Sequence, residues 1–196
     1  AVYGYGTSSP DARLDHNFYT GKVVVDGKEV MLDDGTPLKY EPLAVELNLT
    51  ASKYIETAGA RMKKYEVDRT AYADGRLPNN DIVLYRYADV LLMKAEALVR
   101  NGESGDEPFN AVRRRVGMAE KAATLDNILD ERLLELAWEG WRRQDLIRFG
   151  RFTQAYDLHT PSQLDAKQAS IVFPIPQKAI DLNGGLIQNP EYETKK

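Results

Sequence analysis

Three glutamates, Glu131, Glu135 and Glu139, recur at every fourth position of ERLLELAWEGWRRQDLIRFG (Glu131–Gly150), the segment richest in groups able to do chemistry. Glycosidic hydrolysis uses two carboxyl groups that face each other across the scissile bond. Carboxylates spaced by four on one helix project from the same face and cannot flank a substrate. Arg132, Arg142 and Arg143 stand among them, so the pattern reads as a solvated or interhelical salt-bridge stripe, and no catalytic residue is assigned. Asp145 and Arg148 depart from it. On a helical wheel they fall in the apolar sector, one turn apart, which predicts a structural ion pair that docks the helix.

The remaining reactive types offer less. His16 and His159 are far apart, with no metal-ligand spacing around them, and cysteine is absent, so neither a metal site nor a thiolate nucleophile is predicted. Gly4-Tyr5-Gly6 lacks the Lys and the flanking elements of a phosphate loop. Arg113-Arg114-Arg115 is flanked by Asp106, Glu107 and Glu120 and reads as intramolecular pairing or simple exposure. Aromatic rings are the better candidates, because sugars stack their C–H faces on them. Tyr3, Tyr5, Phe18, Tyr19, Tyr40 and Tyr54 lie in the irregular first third of the chain, where loops concentrate binding residues. Trp138, Trp141, Tyr85 and Tyr87 lie on or at the start of helices and are expected in the core.

Periodicity supplies the elements that position these groups. Lys22–Val25 and Lys28–Leu32 flank Asp26-Gly27, which predicts a type I′ hairpin; a second turn follows at Asp33–Pro37. Arg86–Arg100 reads as a helix with Ala88, Leu91, Leu92, Ala95, Leu98 and Val99 buried and Asp89, Glu96 and Arg100 wet, stopped by Asn101-Gly102. Asp106 is expected to cap a short helix that buries Phe109, Val112 and Val116 and ends at Gly117. Thr124 or Asp126 caps a third, long helix running through Glu131 to Gly150. Beyond it, Pro174 and Pro176 force Ile171–Pro176 to be extended, and the tail is expected to wrap back over the helices. The division expected is one domain: a loop- and hairpin-rich region (1–77), a helical core (78–151) and a wrapping tail (152–196).

A net charge of −4 and pI near 5.3 argue against nucleic acid as a partner. The apolar-rich segment Ile82–Val99 is interrupted by Arg86, Asp89, Lys94 and Glu96, too many charges for a membrane span. No cofactor is implied.

Asn80–Gly102, Phe109–Gly117 (FNAVRRRVG), Glu131–Gly150, Phe173–Pro176 (FPIP) and Gln188–Tyr192 (QNPEY), with Pro10–Leu14 (PDARL) upstream, form an ordered set. That set resembles the C-terminal part of the SusD/RagB family of outer-membrane nutrient-binding lipoproteins. Leu133 and Arg143 differ from the residues common there. The resemblance implies a mainly α fold, tetratricopeptide-like helical hairpins with a small β-hairpin and an irregular C-terminal wrapping segment. It implies non-catalytic binding of a glycan at the cell surface, with a SusC-like TonB-dependent transporter as partner and membrane attachment through a lipid anchor. Members are longer and carry that anchor near their N-terminus, so the chain is expected to be the C-terminal portion of a longer protein. Two alternatives stay open: peptide cargo, or a helical scaffold whose stripe Glu135/Glu139/Arg142 meets the transporter while the ligand site lies elsewhere.

Overall fold

Helices are set here by where their polar ends are satisfied as much as by their apolar faces. The computed structural model describes residues 10–44, 50, 55–71, 73, 75, 77–155 and 159–192. It divides into two compact units, Ala1–Arg142 and Arg143–Lys196. The chain is mainly helical, with a helical-hairpin core and a small β-hairpin.

The first unit begins with helix α1 (Arg13–Asn17), followed by short strands β1 (Phe18–Tyr19), β2 (Gly21–Lys22), β3 (Val24–Val25), β4 (Lys28–Glu29), β5 (Lys39–Tyr40) and β6 (Arg61–Met62). The β3–β4 hairpin turns at Asp26-Gly27, whose φ values of 50° and 77° are the left-handed pair a type I′ turn requires. The second turn closes through Leu32 N–H to Thr36 O at 2.8 Å, with Gly35 at φ 81°. Strand β1 pairs antiparallel with β6 and β2 with β5, placing Tyr19 opposite Arg61 and Gly21 opposite Tyr40.

Helices α2 (Tyr87–Arg100), α3 (Asp106–Arg115) and α4 (Leu125–Glu135) form the core, with α2 packed on both α3 and α4. Leu92, Ala95, Phe109, Val112, Val116 and Ile128 are buried between them. The α2–α3 approach is close: a Cβ at Gly105 would stand 2.6 Å from Ala95 O, so glycine is needed at that crossing. Gly105, not Asp106, is the N-cap of α3; the Asp106 carboxylate accepts instead from Ala123 N–H at 2.6 Å. Thr124 caps α4, accepting from Asn127 N–H.

Two expectations are overturned. Asp89 and Glu96 are buried on α2, not wet, because each has a guanidinium partner: Arg132 Nη1 lies 2.7 Å from Asp89 Oδ1, and Arg100 Nε 2.8 Å from Glu96 Oε1. The long helix through Glu131–Gly150 is two helices, α4 and α5 (Arg142–Arg148). Between them Trp138 and Gly140 take φ of 69° and 79°. A continuous helix would offer Glu135 O and Ala137 O to backbone N–H groups four residues on. Here Lys64 Nζ donates to both, at 2.7 and 3.1 Å, and Arg86 also donates to Glu135 O. Side-chain cations thus cap the carbonyl end of α4, where the helix dipole favours positive charge.

The second unit holds most of α5, α6 (Gln163–Ala166), a 3₁₀ turn at Ala169–Ile171, α7 (Gln177–Leu182) and a 3₁₀ turn at Pro190–Tyr192. Ser162 and Asp165 form a reciprocal capping box on α6. Pro174 and Pro176 have no N–H, so Ile175 alone keeps a donor between them. Gln188 takes both of its backbone groups: Ile175 N–H donates to Gln188 Oε1 at 2.9 Å, and Gln188 Nε2 donates to Ile175 O at 2.8 Å. Asn189 Nδ2 donates to Phe173 O, and Tyr192 OH to Ala169 O and Val172 O. The FPIP and QNPEY segments are therefore two halves of one clamp.

Candidate functional site

Glu131, Glu135 and Glu139 are at most 2% exposed at their side chains. They form an interhelical salt-bridge stripe and not a solvated one. Arg13 Nη1 reaches Glu131 Oε1 at 2.7 Å and Glu135 Oε2 at 3.0 Å, while its other face holds Asp11. Arg113 Nη1 donates to Glu131 Oε2 at 2.6 Å. Glu135 accepts further from Arg86 at 2.5 Å and Arg115 at 2.6 Å; Glu139 accepts from Arg86 and Lys64. Arg132 and Arg142, expected to balance these carboxylates, serve elsewhere: Arg132 on Asp89, and Arg142 on Leu129 O at 3.0 Å.

Burial by itself raises the Glu135 carboxyl, but the hydrogen bond and charge of Arg86, with the charges of Arg115 and Arg13, outweigh it and hold it below the ordinary range. Glu139 is lowered likewise, its burial outweighed by Arg86 and then Lys64. Lys64 itself is pushed down by burial, against the pull of Glu139. Above this floor opens a cavity of about 400 Å³ lined by α1, Lys64, Arg86, the end of α3 and Glu135.

The short strands β1 and β5 carry the predicted aromatics Phe18, Tyr19 and Tyr40. Tyr19 is 41% exposed, with Lys63 Nζ 5.5 Å from its ring centroid. Tyr40 is half-buried under the Arg61 guanidinium at 4.7 Å. Phe18 packs on Trp138 at a centroid separation of 6.0 Å. Tyr3, Tyr5 and Tyr54 lie outside the described residues. The structure therefore places Phe18 and Tyr19 on β1 and Tyr40 on β5, each with a cation or a ring against it.

The rings expected in the core are placed differently. Tyr85 and Tyr87 are 70% and 74% exposed and Trp138 48%; Tyr85 leans on the half-buried Trp141 at 5.5 Å. Tyr85 precedes α2 and Tyr87 opens it. Trp138 is turned outward by its left-handed backbone, and nothing in helical periodicity signals that break. In the second unit Arg148 Nη2 lies 2.9 Å from Asp145 Oδ1; Asp145 is buried and Arg148 is 40% exposed. Arg143 is sandwiched between Phe152 and Phe173, with its guanidinium carbon 5.0 and 4.4 Å from the two centroids, and donates to Ser170 O and Ile171 O. Among the described residues no group of three or more His, Asp or Glu could hold a metal ion, and no helix is long and apolar enough to cross a membrane.

Comparison with known proteins places this geometry. The chain is 31% identical over 140 residues, 68% of its length, to the starch-binding protein SusD of Bacteroides thetaiotaomicron, of which the match covers 25%. It is 33% identical over 132 residues, 59% of its length, to the SusD-like protein P38 of Formosa agariphila, again 25% of that protein. The chain thus spans about a quarter of the length of these curated relatives. Among solved structures it resembles surface glycan-binding protein A from Bacteroides thetaiotaomicron, with a TM-score of 0.67 and 28% identity, over 94% of this chain and 39% of that one. The same protein in complex with laminarihexaose gives a TM-score of 0.67 at 26% identity, over 95% and 39% of the two chains. The SusD family model matches residues 1–192, and the chain belongs to the SusD family.

Proposed function

We propose that this chain takes part in non-catalytic capture of an oligosaccharide or polysaccharide at the outer surface of the cell, alongside a TonB-dependent outer-membrane transporter. The observation that carries this reading is the likeness in both fold and sequence to a surface glycan-binding protein whose complex with laminarihexaose is known. The outer-membrane location and lipid anchor are part of the same proposal, for the longer protein to which such a chain corresponds.

The chemistry supports capture over cleavage. A glycosidase acid must hold its proton near neutral pH, so its environment raises its pKa. Glu135 and Glu139 are lowered, and their oxygens already accept from arginine and lysine. The same burial speaks against the stripe Glu135/Glu139/Arg142 as a surface for the transporter, since both glutamates are 2% exposed at the side chain. Weak, reversible binding follows from ring stacking with a few hydrogen bonds. Tyr19 and Tyr40 with Phe18 are the proposed contacts among the described residues, and Tyr3, Tyr5 and Tyr54 complete the proposed set.

A glycan array probed with this chain tests the proposal, with Tyr5→Ala, Tyr19→Ala, Tyr40→Ala and Tyr54→Ala as variants. Binding that one of these substitutions abolishes, with the melting temperature retained, is the expected result. An array silent for both this chain and the longer protein overturns glycan capture; peptide capture by the latter would replace it.

A further inference from the structure

We propose that the cavity over Glu135 is a site for a small oxyanion, the carboxylate of a sugar acid or a sulfate group, held by Arg115 and Asn17. Asn17 supplies the first polar group. Asn17 lines the cavity and is 8% exposed. The amide Nδ2 supplies the donor an anion needs.

Arg115 supplies the second. Its Nη2 donates to both oxygens of Glu135, at 2.7 and 2.6 Å, which leaves Nε and Nη1 without a partner among the described residues. Its side chain is 56% exposed. The other cations of the lining are committed. Lys64 spends its three donors on Glu135 O, Ala137 O and Glu139, and Arg13 divides its own among Asp11, Glu131 and Glu135. They still set the potential. Arg13, Lys64, Arg86, Arg113 and Arg115 face Asp11, Glu131, Glu135 and Glu139, five cations against four carboxylates, a surplus of one positive charge.

The floor carboxylate does not oppose an incoming anion as strongly as a free one would. Glu135 already receives guanidinium N–H groups from Arg13, Arg86 and Arg115, so its charge is more than balanced locally. The planar fork of Arg115 matches a carboxylate or sulfate edge. A cavity of about 400 Å³ also leaves room for the ring that carries such a group. His16, exposed on the rim, adds a further imidazole donor or acceptor. The inference rests on this unit's own geometry and is independent of where a neutral glycan would stack.

The experiment is isothermal titration of the folded chain with sodium glucuronate and, separately, sodium sulfate, at ionic strength held constant with chloride and with glucose as the neutral control. Saturable one-to-one binding of either anion, at least tenfold tighter than glucose, is expected. Glucuronate alone identifies a sugar-acid site, sulfate alone a sulfate-ester site. Asn17→Asp places a like charge at the amide position and should weaken binding at least tenfold, and Arg115→Gln at least threefold, with melting temperatures monitored alongside. Should Asn17→Asp fail to fold, His16→Glu puts the repelling charge on the exposed rim without touching a buried residue. Heats of dilution alone for both anions, or binding that these substitutions leave unchanged, would overturn the proposal.

Discussion

Among helices α2 to α4 the buried polar groups are mostly ions, whereas the segments that organise residues 169–192 are held mostly by neutral side chains on backbone groups. Glu135 meets three guanidiniums, and Asp89 is matched by Arg132 across two helices. In the second unit Gln188, Asn189 and Tyr192 hold carbonyls and the Ile175 N–H of a proline-rich extended segment. The physical contrast concerns what is left behind when a contact is lost. Removing one member of an ionic cluster strands a charge in low dielectric; removing an amide strands a dipole that water can often reach. The first arrangement should be brittle and the second forgiving.

Glu135→Ala is the sharpest way to break that contrast. It takes the shared acceptor from Arg13, Arg86 and Arg115 and leaves the five cations of the cluster facing three carboxylates, Asp11, Glu131 and Glu139, around an Arg13 that is 5% exposed at the side chain. Loss of one partner from a buried pair costs about 3–5 kcal/mol, so chemical denaturation should show a loss of that order. A loss under about 1 kcal/mol would mean the cluster relaxes by admitting water and is not brittle.

Acid should act on both units, with the sign the same in each. Asp11, Glu135 and Glu139 bind protons less readily in the folded chain than in the unfolded one, their burial being outweighed by arginine and lysine partners. Asp165 is held at about 2 by the Ser170 hydroxyl and by Ser162. Each therefore contributes stability that is complete above its unfolded value near 4 and is lost as the pH falls through its folded value. Melting temperature should hold from pH 7 to about 5 and fall steadily from about pH 4 to 2. A profile flat down to pH 2 would contradict the assignment of these carboxylates as ionised in the fold.

Asp145→Ala ranks next. Its carboxylate is buried but Arg148 is 40% exposed, so the cation left behind is solvated. The expected loss is about 2–3 kcal/mol, below that for Glu135. An unchanged melting temperature would end its reading as a structural pair. Gln188→Ala should cost less again, about 1–2 kcal/mol, because the N–H and O of half-buried Ile175 lose neutral hydrogen bonds. If Gln188→Ala proves as costly as Glu135→Ala, the distinction between the two chemistries fails.

Much of the fold was legible because its signals are local. Asp26-Gly27 specifies its turn, Gly102 and Gly117 end their helices at φ 78° and 76°, and Thr124 caps α4. What was not legible depends on partners distant in sequence. Asp89 and Glu96 look wet on α2 until guanidiniums bury them. The break after Glu135 depends on Lys64 and Arg86, about 71 and 49 residues away, supplying caps that no helical wheel shows. Arg13, which inserts into the stripe from α1, carried no periodic signal at all and could be suspected only from its place in PDARL. Of the candidate aromatics, Tyr19 and Tyr40 were recognisable from their place in the irregular first third, but the cations against them, Lys63 and Arg61, are distant in sequence and carry no local signal. Tyr85 and Tyr87 escaped because a helix start looks the same in sequence whether or not its first turn is covered.

The smallest effect is expected inside the largest cluster, at Arg114. Three successive arginines meet three environments. Arg113 is 4% exposed and holds Glu131 and Ala119 O; Arg115 is half-exposed and holds Glu135. Arg114 points away from both and bridges Glu107 at 3.0 Å and Glu120 at 2.7 Å in solvent. Two ion pairs of good geometry would rank it as important by number of contacts alone. Water screens both pairs, holding two long side chains in one geometry costs entropy, and the partners freed by substitution are simply rehydrated. Arg114→Ala should therefore leave the melting temperature unchanged at physiological salt, while Arg113→Ala lowers it markedly. If the two substitutions cost the same, burial is not what gives these ion pairs their weight, and the comparison between core and tail would have to rest on the number of contacts instead.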